Sequence, residues 1–244
     1  MNNSIFHFTN SFENLKKILN DKAFKVSYCK EELNYSFGNL NGGISYSYAI
    51  PMISFCDIPL TSKTTYGDFG IGMKLSWAIE KEINPVLYVN KNSKISTSIW
   101  RILNNNIIDK AITQLMQLIK NREGKITRNN KIEKTDFYNE REWRYIPVID
   151  LLDTDKYPDY IYQCDYESKL KLLGEKPHIN EKKYLLGFDL DSIEVIIVEN
   201  NEQINSVYEI FDSQDKEKLK LKVKSLEQLI ENKLKRQSHS LPYN

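Results

Sequence analysis

The eight residues Tyr138-Asn139-Glu140-Arg141-Glu142-Trp143-Arg144-Tyr145 constrain this chain more than any other segment. Alternating aromatics read as a β-strand. Side chains two apart on a strand share a face. Glu140, Glu142 and Arg144 should therefore project together, with Arg141, Trp143 and Tyr145 on the opposite side. Two carboxylates beside a guanidinium are costly to bury unless they are paired or hydrogen-bonded. The segment is either a salt-bridged strand, with Arg141 and Arg144 as partners, or the acid end of an active site.

The bulk of the chain narrows the context. Its 244 residues suffice for one large domain. A hydrophobic share of 41% and a charged share of 27% are ordinary for a globular protein. The net charge of +1 gives no global bias toward nucleic acid or an anionic membrane. Cys29, Cys56 and Cys164 are widely spaced and odd in number, which argues against a disulfide framework and fits a reducing cytoplasm. No CxxC pair or His-rich cluster points to a metal. Met1-Asn2-Asn3-Ser4 lacks the basic and apolar regions of a signal peptide. No apolar run approaches the roughly 20 residues of a membrane span.

Periodicity and turn chemistry predict a single α+β domain over residues 1–236, with a flexible tail at 237–244. Ile5–Phe8 reads as a strand, and Asn10 or Ser11 caps a helix running to Asn20. Strands are expected at Ala23–Tyr28, Met52–Ile58, Phe69–Lys74, Pro85–Val89, Tyr184–Phe188 and Ile193–Val198. The last is almost continuously apolar and so belongs in the middle of a sheet. Helices are expected at Trp77–Ile83, Ser98–Lys120, Glu202–Phe211 and Asp215–Arg236. The last carries an apolar stripe of Leu219, Val223, Leu226, Ile230 and Leu234, with interleaved lysines as a solvated face. Residues 34–50 and 61–68 read as loops, and the polar stretch Asn121–Lys134 as a mobile one.

Few residues could carry chemistry. In Ile5-Phe6-His7-Phe8-Thr9, His7 and Thr9 face opposite to the two phenylalanines, into a cleft or solvent. Ser54 and Cys56 share a face of their strand; Cys56 has no apparent base and reads as a small buried thiol. Gly67, Gly70 and Gly72 allow close approach to backbone, for a ligand or simply for a tight turn. Tyr66 and Phe69 beside them could stack on a planar ring or pack in the core. Glu140 and Glu142 could stabilise the positive charge that builds on a sugar carbon when a glycosidic bond breaks.

The opening Ile5-Phe6-His7-Phe8-Thr9, with Asn14-Leu15 and Ile18-Leu19 after it, resembles DarT-like ADP-ribosyltransferases. The wider order is more similar still to the AbiGi family of abortive phage-infection proteins. The segments that carry this are Ser27-Tyr28-Cys29, Ile53 to Leu60, Tyr66 to Gly72, Asn84 to Val89 and Tyr138 to Tyr145. The AbiGi name carries an antitoxin label within a two-gene defence system. The transferase resemblance implies a split, twisted β-sheet around an NAD cleft. It implies that His7, with Thr9 and Ser54, holds NAD, that an aromatic stacks the nicotinamide (Tyr66, with Tyr28, Tyr46, Tyr48 and Phe69 as competitors), and that Glu142 orients the ribose and supports the cation. Glu140 would activate the acceptor. No arginine follows His7 where DarT-like enzymes use one.

Two functional readings follow, with a third behind them. The chain is an NAD-dependent ADP-ribosyltransferase or glycohydrolase acting on an unknown protein or nucleic-acid acceptor. Alternatively it is a catalytically inactive antitoxin or regulator that binds a cognate toxin. A nucleic-acid regulator is disfavoured by the neutral net charge and the lack of a helix-turn-helix pattern.

Overall fold

The computed structural model describes residues 3–37, 47–58, 67–104, 109–128, 131–162 and 178–229, together with positions 165, 168 and 231. The architecture is mixed α+β. The chain divides into two compact units, 1–24 with 55–82 and 186–244, and 25–54 with 83–185. Elements are numbered along the whole chain.

In the first unit, β1 (Ser4–Thr9) is followed by α1 (Phe12–Asp21) and β2 (Ala23–Phe24). Ser11 caps α1 by accepting the Asn14 N–H, as expected from sequence. β1 runs antiparallel to β5 (Phe69–Lys74) over its full length, with Phe6 opposite Gly72 and Phe8 opposite Gly70. Phe6 also pairs with Cys56, at the end of β4 (Ser47–Cys56), whose residues before Phe55 belong to the second unit. β15 (Ile193–Val198) lies between β5, antiparallel, and β16 (Val223–Ser225), parallel. Its central placement follows from its apolar run.

The glycines of β5 serve the protein's own packing. A Cβ on Gly72 would sit 2.5 Å from the Phe6 ring and 2.8 Å from Val195; one on Gly70 would sit 2.8 Å from the Phe8 ring. Gly67 has φ +138 and would drive a Cβ into the Thr9 carbonyl. These glycines let aromatic side chains and backbone close on the sheet.

In the second unit, β3 (Val26–Glu32) pairs antiparallel with β4 and with β13 (His178–Ile179). β12 (Ile161–Tyr162) pairs with β4 at Ala49 and Tyr48. The same unit holds α2 (Asn34–Phe37), β6 (Asn84–Pro85), β7 (Leu87–Val89), α4 (Lys94–Asn104) and α5 (Lys110–Gln117). The helix between α2 and β6 in sequence, α3 (Leu75–Glu80), belongs to the first unit. β8 (Ile119–Asn121) lies parallel to β7, and Leu33, Val89, Ile99 and Ile119 form a buried cluster beneath.

Several expectations fail for identifiable reasons. The long helix expected over Ser98–Lys120 is interrupted: α4 is described to Asn104, Asp109 is extended and caps α5 by accepting the Ile112 N–H, and Ile119 is drawn into β8. The stretch expected as a mobile loop is an antiparallel ribbon of β9 (Glu123–Arg128) and β10 (Lys131–Asp136). The expected C-terminal helix is interrupted: it stops at Leu219, because Val223 is buried in β16 against Ile196, and the chain returns to helix at Leu226. Ile230 and Leu234 of its expected stripe lie outside the described residues. The expected strand at Tyr184–Phe188 is a 3-10 turn at Lys182–Tyr184 leading to β14 (Leu186–Gly187), which pairs with β2.

Candidate functional site

The acidic-aromatic segment does not begin as a strand. Asp136 accepts the Tyr138 N–H and caps a 3-10 turn at Phe137–Glu140. Arg141 then adopts φ 45, a left-handed conformation, and β11 starts only at Glu142 and runs to Tyr145. Glu140 is therefore on a turn and Glu142 on a strand, yet their carboxylates still meet. Lys120 Nζ, from β8, donates to Glu140 Oε2 and Glu142 Oε2 at 2.7 Å each. The same ammonium lies 5.1 Å from the centre of the Phe137 ring.

Glu142 and Arg144 point inward from β11, and the Arg144 guanidinium is fully buried. Its Nε donates to Glu142 Oε1 at 2.9 Å, and Nη1 to the Gln117 carbonyl at 2.8 Å. Nη2 donates to Glu31 on β3 and, at 3.3 Å, to Glu142 Oε2. The Glu142 backbone N–H donates to the Tyr88 hydroxyl at 2.8 Å, and the Glu142 carbonyl accepts from Val86. Both carboxylate oxygens of Glu142 are thus held by cations, and its backbone is fixed on both sides.

Three carboxylates (Glu31, Glu140, Glu142) share two cations (Lys120, Arg144), so full ionisation leaves one negative charge in excess. The proton balance reflects this. Burial raises the Glu31 carboxyl above the usual range despite Arg144. Burial would also raise Glu142, but Arg144 and Lys120 outweigh it and hold its carboxyl low. Lys120 and Arg144 are both pushed upward: burial opposes their charge, and the surrounding glutamates more than compensate. Burial, with Glu31 close by, pushes the Cys29 thiol up to about 11, and burial carries the Tyr88 hydroxyl to about 12.

Of the residues singled out from sequence, the structure brings together Glu140 and Glu142. Ser54 lies exposed on β4 in the same unit. His7, Thr9 and Phe69 belong to the other unit. There the His7 ring packs 5.1 Å from Phe24 and 5.7 Å from Phe55. Thr9 Oγ1 accepts the Ser11 N–H at 3.4 Å, at the start of α1. Phe69 is buried, 5.5 Å from the Phe12 ring. Tyr66 lies outside the described residues. Arg141, expected to pair with the glutamates, is replaced in that role by Lys120, and Glu31 was not foreseen at all. Among the described residues no group of His, Cys, Asp or Glu is arranged to hold a metal ion. No helix there is long and apolar enough to cross a membrane.

Comparison with known proteins places this cluster in a family. Residues 22–199 match the family described as "Putative abortive phage resistance protein AbiGi, antitoxin". The chain belongs to the AbiGi family. It is 30% identical to the abortive phage resistance protein AbiGi of Lactococcus lactis subsp. cremoris, over 73% of this chain and 83% of that protein. No solved structure matches it. The AbiGi match spans every member of the charge cluster and begins after His7 and Thr9.

Proposed function

We propose that this chain acts in phage defence as a catalytically inactive antitoxin, a binding module that restrains a cognate toxin. The observation that carries this reading is the state of Glu142. A glutamate that holds a ribose and supports an oxocarbenium ion needs a free carboxylate oxygen and an uncompensated negative charge. Glu142 has neither: Arg144 and Lys120 occupy both oxygens and neutralise it in a buried setting. The cluster instead ties β3, β8, β11 and the end of α5 together, as a structural ion-pair lattice does. The antitoxin label of the family supports the same reading.

The enzymatic reading, an NAD-dependent ADP-ribosyltransferase or glycohydrolase on a split transferase-like sheet, rests on the sequence resemblance. The observation that favours it is that Glu140, at the rim of the cluster, keeps partial exposure with one oxygen on Lys120. NAD would then be substrate and Glu140 the better-placed acid.

Expression in cells separates the two. The chain alone should leave growth unchanged, and co-expression with a cognate toxin should restore growth to cells that the toxin arrests. Growth arrest by the chain alone, relieved by Glu140→Gln or Glu142→Gln, would overturn the antitoxin reading.

A further inference from the structure

Past β11 the chain leaves an apolar pair in water. On the 3-10 turn at Leu151–Asp153, Leu151 is 79% exposed and Leu152 97%, and Val148 just upstream is 66% exposed. Single exposed aliphatics are ordinary on a protein surface. Adjacent leucines standing almost wholly in solvent mark an interaction site when the backbone beneath them is fixed. Here it is fixed. The Tyr184 hydroxyl accepts the Asp150 N–H at 3.1 Å and donates to Asp153 Oδ2, so one buried side chain clamps both ends of the turn. Lys183 Nζ bridges the same two acids, at 2.7 Å to Asp150 Oδ2 and also to Asp153 Oδ2. Thr154 Oγ1 donates to the Leu151 carbonyl at 2.8 Å, and the Tyr157 N–H to the Asp153 carbonyl at 2.7 Å. The leucines are preorganised, and docking through them orders little that is not already ordered.

The surroundings select the occupant. The charges flanking the turn are spent on one another: Lys183 on Asp150 and Asp153, and Lys156 on Glu181 at 2.6 Å. Among the described residues no cluster of unpaired cations flanks the leucines, so phosphate groups of a nucleic acid or an anionic membrane find no counter-charge there. Three aliphatic side chains supply on the order of 300 Å² of apolar surface. That is well short of the roughly 800 Å² per partner in a stable interface, so two copies meeting leucine to leucine would not hold. A protruding pair is buried well only in a concave apolar pocket of a different protein, as the central anchor of a larger contact.

We propose that Leu151 and Leu152 anchor the chain in an apolar pocket of the toxin that it restrains. The inference rests on the antitoxin reading and names the surface that carries it out. The test is titration calorimetry of the purified full chain with a purified cognate toxin, beside relief of that toxin's growth arrest in cells. Wild type should bind, with an affinity little changed by added salt. Leu151→Asp/Leu152→Asp should bind about a hundredfold or more weakly and fail to relieve the arrest. Leu151→Met/Leu152→Met, which keeps the apolar volume, should bind and relieve it. Circular dichroism and thermal melting confirm that both variants fold. Equal binding by wild type and the aspartate variant overturns the surface and leaves the antitoxin reading standing, whereas a wild-type chain that relieves no arrest removes both. Two further results overturn the proposal. One is a wild-type dimer in sedimentation that the aspartate pair dissociates, which assigns the leucines to a second copy. The other is binding to phosphatidylcholine vesicles that the same pair abolishes, which assigns them to lipid.

Discussion

Arg144 Nε donates to Glu142 Oε1 at 2.9 Å, between two residues that share one face of the same strand. In most strands such a pair would sit at the surface. Here the arginine is fully buried, and its remaining donors reach Glu31 and the Gln117 carbonyl. A buried ion pair adds little net stability over a well-packed apolar equivalent, but removing one partner strands the others without water.

Arg144→Met should therefore destabilise the protein by about 3–5 kcal/mol, because Glu31 and Glu142 lose their shared cation in a buried setting. Urea unfolding measures this. A loss within about 1 kcal/mol would mean that the cluster does not hold the fold.

The excess carboxylate makes Glu31 different from Glu142. Burial raises the Glu31 carboxyl, so its stabilising, protonated form is present at low pH and is lost as pH rises through the raised value. Glu142 is depressed, so its contribution is present above the ordinary glutamate range and is lost as pH falls through its lowered value. Glu31→Gln should accordingly gain on wild type as pH increases, while Glu142→Gln should lose most at neutral pH and above. Unfolding free energies at acidic, neutral and mildly alkaline pH distinguish the two, and parallel pH profiles for both variants would refute the assignment.

Gly72→Ala should cost about 1–3 kcal/mol by overpacking, since its methyl would press on the Phe6 ring and on Val195. Thermal melting reads this directly. A neutral result would show that the ring can withdraw.

Cys29 should resist alkylation. With its thiol raised to about 11, the thiolate fraction at mildly alkaline pH falls by about a hundredfold relative to an ordinary cysteine. Site-resolved mass mapping of iodoacetamide labelling in the native and urea-unfolded protein tests this, and equal rates in the two states would contradict it.

Much of this was legible in the sequence. The apolar run of Ile193–Val198 reads as a strand with neighbours on both sides, which β5 and β16 supply, and Ser11 before Phe12 announced α1. The paired demand of Glu142 and Arg144 followed from strand alternation once β11 formed. What escaped was set by tertiary contact. Nothing local marks Glu31, because the burial of β3 changes phase: Val26 and Tyr28 point inward, Lys30 outward and Glu31 inward again. Lys120 read as the last residue of a helix until the pairing of β8 with β7 turned it toward the glutamates. The start of β11 was misjudged because the Asp136 cap outweighed the aromatic alternation at Tyr138. The ribbon at Glu123–Asp136 looked like solvent-exposed loop because its residues are polar on both faces.

The central claim is that Glu142 is committed to a structural lattice and not to cleaving a glycosidic bond. The most direct test is nicotinamide release from NAD by the purified chain, beside a folded Glu142→Gln variant. The account predicts no release from either protein, with added cell extract as acceptor or without it. Release by wild type that disappears in the folded Glu142→Gln variant would contradict it and make Glu142 a catalytic residue.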